Sequence, residues 1–460
     1  MNRIKRVFAA ILLLTLGYLV YYCWKAFPVL TGYSAKMACS CMYLGERTLQ
    51  SVEEQELGRF PLKLASVEVL SDSSVVATVM GLAKQTAVFR PGLGCTLVNE
   101  ISKEELKNQV WQLPELPKLN PDTISWPMGD RLPDSTIASF SPGKLEEALN
   151  FAFANQKEEE PVRTRAVVVL HKGSLIAEKY APGFDRHHRH LSWSMAKSIT
   201  GTLVGMLVKD GKLALDQPAP VAGWKASTDG RSEITLRNLL QQTSGLDFEE
   251  NYSKATDATN MLFRKADMAG YTASHALKVQ PGSTFYYSSG NSNILSGIIR
   301  SALGDSLYYR YPYEKLFYKL GMYSAVMETD ASGNFVGSSY VFATARDWAR
   351  LGQLYLQNGT WNQEQLLPQD WVKQATQPVA AAPQGEYGFQ IWLNAGNPIG
   401  TANRKYPTLP ADLYYFSGYE GQQVLMIPSK DLVIVRLGQT ANSRWFDTET
   451  FVNKILSAVQ

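Results

Sequence analysis

This 460-residue sequence lacks three features that would point to other function classes. It has no basic excess, with 45 Lys and Arg against 42 Asp and Glu and a net charge of +3, so nucleic-acid binding is not predicted. It has no G-x-S-x-G sequence, the nucleophile turn of α/β-hydrolases. It has no cysteine after residue 95, so the remaining three-quarters of the chain has neither disulfide nor thiol chemistry.

The four cysteines and the five histidines give no metal prediction. Outside the cytoplasm Cys95 can bridge to Cys39 or to Cys41, and the sequence does not choose between them. The run R-H-H-R-H at Arg186–His190 has no accompanying set of acidic residues, and adjacent histidines on a loop seldom converge on one ion. Neither a metal nor a cofactor is therefore expected.

The N-terminus has the pattern of a membrane segment. Basic residues precede eighteen uncharged residues, Val7 to Trp24, and aromatic residues lie at the far end of this run. No small-x-small cleavage site follows, and no lipobox precedes Cys39. We predict that residues 1–32 form an uncleaved anchor with the N-terminus inside and the rest extracytoplasmic, periplasmic in a cell with an outer membrane. A cleaved signal peptide, which would give a secreted protein, remains the alternative.

The rest of the chain divides into three segments. Residues 33–111 alternate apolar and polar positions and predict a small β-rich module of unassigned role. Residues 112–134 are a proline-rich linker. Residues 135–460 have strands near both ends and helices between them. This order predicts an α+β domain, in which one antiparallel sheet flanked by helices lies beside an all-helical lobe.

One apolar stretch, Ser192 to Gly211, organises this domain. It predicts a buried helix whose only charged residue between Ser194 and Val208 is Lys197. A spacing of three places Ser194 and Lys197 on one helical face, the S-x-x-K arrangement of a serine nucleophile and its base. The alternative is a lysine that extends out of a core helix to reach solvent.

Two later segments can complete a catalytic site. Pro281 to Asn291 combines a turn with aromatic and hydroxyl side chains, and Tyr287 in it can share a proton with Ser194 and Lys197. The nearby ammonium is expected to favour the phenolate of Tyr287. The glycine-rich segment F-S-G-Y-E-G-Q, residues 416–422, precedes a predicted strand and can offer a backbone N–H to an oxyanion.

In this order and spacing, the three segments resemble the penicillin-recognising serine hydrolases. These comprise class C β-lactamases, DD-peptidases and their esterase and amidase relatives, and the 6-aminohexanoate-dimer hydrolase branch is the most similar. The resemblance implies the fold predicted above, with Ser194 as nucleophile, Lys197 as base and Tyr287 as proton shuttle. It further implies substrate contacts at Ser289 and Gly418, and an oxyanion hole formed by the backbone N–H groups of Ser194 and Tyr419. Ser289-Gly290-Asn291 spells a competing S-x-N motif, but the distance to the following Leu-Ser-Gly favours the register that starts at Tyr287.

One position departs from the family pattern. Members that act on β-lactams have a cation at the first position of the third motif, where it meets the substrate carboxylate, and this chain has Phe416 there. We therefore expect the substrate to be a small amide or ester that is less anionic than a β-lactam. The alternatives are a β-lactamase or DD-peptidase, or a non-catalytic binding or scaffolding protein that kept the fold.

Overall fold

The computed structural model describes residues 2–133, 139–155 and 157–459, and the predicted boundary at residues 134 and 135 lies outside them. The helices have these bounds: α1 (Asn2–Tyr43), α2 (Leu49–Gln55), α3 (Lys103–Asn108), α4 (Pro142–Phe153), α5 (Ala196–Lys209), α6 (Leu236–Leu240), α7 (Asp257–Arg264), α8 (Met268–Ala273), α9 (Ser289–Leu303), α10 (Asp305–Tyr308), α11 (Tyr318–Leu320), α12 (Ala345–Leu356), α13 (Trp371–Ala375) and α14 (Thr448–Ala458).

The strands form a small N-terminal sheet, a large C-terminal sheet and short ladders between them. Their bounds are β1 (Ala65–Val69), β2 (Ser74–Val79), β3 (Leu82–Arg90), β4 (Gly94–Leu97), β5 (Thr164–His171), β6 (Ser174–Tyr180), β7 (His190–Leu191), β8 (Val326–Met327), β9 (Val341–Ala343), β10 (Thr360–Trp361), β11 (Glu364–Gln365), β12 (Trp392–Leu393), β13 (Tyr414–Gly418), β14 (Gln422–Ile427) and β15 (Leu432–Gly438).

The large sheet joins both ends of the predicted domain, as expected. Its order is β12–β13–β14–β15–β5–β6, and the neighbouring strands are antiparallel. Successive side chains of a strand point to opposite faces. In β5, for example, Val168 packs with α5 and α12, while Val167 packs with α4 and α14. Helices therefore cover both faces, and α6 to α11 form the helical lobe, so the α+β prediction is confirmed.

One predicted strand is much shorter than expected. The sequence predicts a strand over Phe389–Leu393, but only Trp392–Leu393 pairs with β13. The backbone N–H groups of Phe389 and Gln390 donate instead to Ala375 and Leu240, at the ends of two helices. This stretch therefore ties helices together at the edge of the sheet.

The N-terminal helix is long and continuous. It is apolar enough to cross a membrane, and its side chains are exposed up to Tyr22. The helix continues past residue 32 to Tyr43, so its second half belongs to the region predicted as the β-rich module. There it packs on β2, β3 and β4 of the small N-terminal sheet, whose strand order is β1–β2–β3–β4. The disulfide Cys39–Cys95 links this half of the helix to β4.

The same half of α1 also contacts the large domain. Lys36 forms a buried ion pair with Glu328 at 2.6 Å, and Glu328 directly follows β8. Glu328 also accepts a hydrogen bond from the backbone N–H of Cys95 at 2.6 Å. β8 pairs with β9, and β9 pairs with β7, which leads into the stretch containing Ser194. The N-terminal segment and the large domain are therefore packed together.

Candidate active site

Ser194 lies in a tight turn at the start of the central helix. The sequence predicts one helix from Ser192, but the structure begins with a 3-10 turn, Trp193–Met195, before α5. Trp193 has a φ of 46°, a left-handed conformation that is uncommon for a large side chain. The turn leaves Ser194 half-buried while both of its neighbours are buried. Ser194 is therefore partly accessible from the protein surface.

Lys197 is buried and fully hydrogen-bonded. Its Nζ donates to Ser194 Oγ at 3.1 Å, to Ser289 Oγ at 3.0 Å and to the backbone oxygen of Ser338 at 3.0 Å. Burial lowers the pKa of Lys197 to about 8, while the carboxylate of Glu250 acts in the opposite direction. A substantial fraction of this lysine is therefore neutral in mildly alkaline solution, as a general base must be.

Tyr287 completes the contact with the candidate nucleophile. Its ring centroid is 4.9 Å from Lys197 Nζ, and the ring packs against Trp392. Burial raises the pKa of Tyr287, although a hydrogen bond with Ser194 partly counteracts this effect. The expectation that the phenolate is favoured is therefore wrong. Removal of the ring from water outweighs the hydrogen bond with Ser194, and the carboxylate of Glu250 raises the pKa further, so Tyr287 holds its proton at neutral pH.

The two readings of the tyrosine segment differ in which of its residues should lie against Lys197. Ser289 is the first residue of α9, and its hydroxyl contacts Lys197. Asn291 instead donates to Gln242 and accepts from Ser244, both at 2.8 Å. Tyr287 and Ser289 thus flank the lysine, as the register that starts at Tyr287 requires.

The third segment lies beside the turn that contains Ser194, residues 192–195, which we call the nucleophile turn after the proposed role of Ser194. A Cβ on Gly418 would come within 2.1 Å of the backbone oxygen of Ser192, so only glycine fits there. The ring of Tyr419 meets that of Trp193 edge-on, with centroids 5.5 Å apart. The backbones of Ser194 and Tyr419, the predicted oxyanion donors, therefore belong to touching segments. Phe416 is buried against Tyr355 and offers no polar side-chain group to a substrate.

Two polar residues of the site were not predicted. Glu250 accepts hydrogen bonds from the backbone N–H of Ser289 at 2.9 Å and from its hydroxyl at 2.5 Å. Tyr252 donates to Glu250 at 2.7 Å and contacts Ser289 Oγ at 2.8 Å. Both residues come from the loop between α6 and α7, which has no motif. The sequence carries no signal that would have assigned them to the site.

The N-terminal segment supplies two further contacts near the site. The ring of Tyr33, on α1, stacks on that of Trp193 with centroids 6.2 Å apart. The guanidinium of Arg59 donates to the Tyr419 hydroxyl at 2.9 Å and to Glu420 at 2.8 Å. The N-terminal segment therefore contacts Trp193, which precedes Ser194, and Tyr419, the predicted oxyanion donor.

Known proteins match this architecture. The beta-lactamase family model matches residues 152–457. The 6-aminohexanoate-dimer hydrolase of Paenarthrobacter ureafaciens is 27% identical over 358 residues, which cover 70% of this chain and 85% of that protein.

Two solved structures share the fold. A Bacillus anthracis protein assigned as a 6-aminohexanoate-dimer hydrolase has a TM-score of 0.57 and 24% identity, covering 75% of this chain and 90% of that one. A penicillin-binding protein homologue from Caulobacter crescentus has a TM-score of 0.53 and 16% identity, covering 69% and 97%. Because the family match spans more than half of the sequence and includes all three motif segments, the chain belongs to the beta-lactamase family of serine hydrolases.

Proposed function

We propose that this protein is a membrane-anchored, extracytoplasmic hydrolase that cleaves a small amide or ester through an acyl-enzyme on Ser194. The observation that carries the proposal is the 3.1 Å contact between the buried amine of Lys197 and Ser194 Oγ. Serine is a weak nucleophile unless a base lies within hydrogen-bond reach. Lys197 meets that requirement, and its lowered pKa suits it to accept a proton.

Acylation begins when neutral Lys197 takes the proton of Ser194 and Oγ bonds to the carbonyl carbon of the substrate. The backbone N–H groups of Ser194 and Tyr419 stabilise the oxyanion. Tyr287, which is protonated, then gives its proton to the leaving nitrogen or oxygen as that bond breaks. The ammonium of Lys197 returns a proton to Tyr287, so the acyl-enzyme forms with Lys197 and Tyr287 both neutral.

Deacylation reverses the proton movements with water as the nucleophile. Neutral Lys197 accepts one proton of the water, whose oxygen bonds to the acyl carbon. The ammonium of Lys197 then gives this proton to Ser194 Oγ as the bond between Oγ and the acyl carbon breaks. Ser289 keeps the amine of Lys197 in position through its 3.0 Å contact. Because Gly418 lacks a side chain, β13 packs directly against the backbone of Ser192, and this end of β13 is proposed to contact the substrate beside Ser194.

Charge near the site supports a substrate without a carboxylate beside the scissile bond. Phe416 replaces the cation that meets such a carboxylate in β-lactam-directed members, and its ring is buried. Glu250 adds a negative charge close to Ser289. Both features disfavour an anionic substrate. The similarity to a protein named 6-aminohexanoate-dimer hydrolase supports a linear amide.

The N-terminal half of α1 supports anchoring in a membrane. Its exposed apolar side chains are followed by the exposed aromatic residues Tyr21, Tyr22 and Trp24, as at a membrane interface. The disulfide Cys39–Cys95 supports an extracytoplasmic position for the rest of the chain, because disulfides persist in oxidising compartments.

Labelling with a fluorophosphonate tests the acylation step. We expect the wild-type protein to be labelled and to hydrolyse a p-nitrophenyl ester, and the Ser194→Ala variant to do neither. Absence of label on a folded wild-type protein would favour a binding protein instead.

Hydrolysis of nitrocefin is expected to be negligible, and rapid nitrocefin turnover would show that the anionic substrate class is the right one.

A further inference from the structure

Four large apolar side chains cluster at one end of the small N-terminal sheet. Their exposed fractions are 72% for Phe60, 42% for Leu64, 87% for Met80 and 63% for Leu82. The pairing of Ala65 with Val79 sets Leu64, which precedes β1, level with Met80, which follows β2.

The other two members of the cluster lie at the same end. Leu82 begins β3 and pairs with Val79. Phe60 lies in the turn that leads into β1, in which the N–H of Lys63 donates to the backbone oxygen of Arg59 at 3.0 Å. We call the four residues the apolar edge (Phe60, Leu64, Met80 and Leu82).

This end of the sheet lies against the part of α1 that follows the apolar run. The Thr31 hydroxyl donates to the backbone oxygen of Ala83 at 2.6 Å, which fixes the β2–β3 turn to the helix. Thr31 comes seven residues after Trp24, or about 10 Å along the axis at 1.5 Å per residue. The apolar edge therefore adjoins the level at which the exposed apolar half of α1 ends.

Charge around the apolar edge favours a lipid surface over a protein partner. Residues 57–67 and 79–90, which contain the edge, have basic residues but no Asp or Glu. Lys63 and Lys84 are both exposed. A few apolar side chains among lysines are typical of segments that lie in the headgroup region, where the side-chain amines meet anionic lipids.

We propose that the apolar edge is a second membrane contact, inserted in the outer headgroup region beside α1. The proposal rests on the membrane anchor proposed above. With two contacts, the helix and the edge, the large domain has a defined orientation on the bilayer, whereas one helix alone would leave it free to tilt.

A fluorescent probe tests the contact in the full-length protein. Met80→Cys is labelled with nitrobenzoxadiazole in a Cys23→Ser background, in which Cys41 is buried and the other two cysteines form the disulfide. The matched control is Ser71→Cys, an exposed position in the turn at the opposite end of the same sheet. Both proteins are placed in nanodiscs of phosphatidylcholine and phosphatidylglycerol, with or without a lipid that carries a doxyl group at carbon 5.

We expect blue-shifted emission and several-fold quenching by the doxyl lipid at position 80, and neither effect at position 71. Equal emission at the two positions would overturn the proposal. A blue shift at position 80 without doxyl quenching would also overturn it, because the edge would then be covered by protein, such as a second copy of the chain. Recovery of the mature chain without its first 24 residues would instead refute the anchor on which the proposal depends.

Discussion

At the residue scale, Glu250 partly offsets the effect of burial on the pKa of Lys197, the proposed base. It is the charged group that opposes the burial effect on the pKa of Lys197, and it reaches the lysine through Ser289. Glu250 and Tyr252 come from a loop roughly fifty residues from the S-x-x-K motif, and a loop without periodicity gives no hint of which side chains turn inward. For that reason the motif residues could be predicted from the sequence, while the residues that tune them could not.

Glu250→Gln should shift the pH dependence of activity toward lower pH. In the proposed mechanism the neutral form of Lys197 is the active one, so kcat/KM is expected to rise with pH through a pKa of about 8. Removing the carboxylate destabilises the ammonium and lowers this pKa. The pH profile of p-nitrophenyl ester hydrolysis measures the shift.

The adjacent Glu249→Gln is the matched control, because Glu249 is exposed and pairs with Lys254. The pH profile of Glu249→Gln should be the same as that of the wild type. A shift of the Glu250→Gln profile toward higher pH would contradict the assignment of Lys197 as base.

Arg59→Gln should lower kcat about tenfold with little change in KM. Arg59 holds Glu420, whose φ of 62° is a strained conformation next to the proposed oxyanion donor Tyr419. Losing one oxyanion-hole donor entirely costs on the order of 10²–10³ in rate, and here the donor is displaced rather than removed. Steady-state kinetics on a p-nitrophenyl ester separate kcat from KM.

Lys107→Gln serves as the control for this variant, because Lys107 forms an exposed ion pair with Asp72 in the same N-terminal segment. A loss of activity in Arg59→Gln that is matched by a fall in Tm would indicate a general folding defect instead of a displaced donor.

At the element scale, the strands and helices of the large domain follow from local patterns. β5, β14 and β15 are nearly continuous apolar runs, as expected for strands buried on both faces. The end of α1 could not be predicted from local patterns. The apolar run closes at Trp24 and Pro28 follows, and both features indicate a helix that ends before Tyr43. Packing of the helix on the small sheet and the large domain keeps Pro28 inside a continuous helix.

Gly418→Ala tests the packing of β13 on the nucleophile turn. The new Cβ would lie 2.1 Å from the backbone oxygen of Ser192, so strand and turn must separate. Displacements of about 1 Å in a catalytic arrangement can cost on the order of 10² in rate. We expect a loss of that size in the rate of fluorophosphonate labelling.

Gly143→Ala provides the comparison, because a Cβ at Gly143 on α4 meets nothing within 4 Å. Alanine in a helix is more stable than glycine by up to about 1 kcal/mol, so this variant should keep full activity and equal or better stability. Unchanged labelling of Gly418→Ala would show that the two elements are not closely coupled.

At the scale of the whole molecule, the disulfide Cys39–Cys95 joins the N-terminal helix to the small sheet. The sequence left two partners open for Cys95, because Cys39 and Cys41 are only two residues apart. On α1 they point in different directions, and only Cys39 faces β4 closely enough to bond. Three-dimensional placement, and not spacing, decides the pairing.

The double variant Cys39→Ser/Cys95→Ser should unfold more easily than the wild type. The bridge closes a sequence separation of 56 residues, for which the loop-entropy model gives about 4 kcal/mol. Denaturant unfolding in detergent, followed by tryptophan fluorescence, measures the difference, and Cys23→Ser should unfold like the wild type. Equal stability of the double variant and the wild type would mean that packing alone holds α1 on the sheet.

The continuity of α1 would also affect the kinetics of the enzyme if it is anchored as proposed. Tyr33, which stacks beside the nucleophile turn, follows Trp24 by nine residues, or about 14 Å of helix. With no flexible tether in between, the active site cannot sweep through the surrounding compartment. The proposed anchor would therefore confine the reaction to substrate molecules that diffuse to a thin layer beside the membrane.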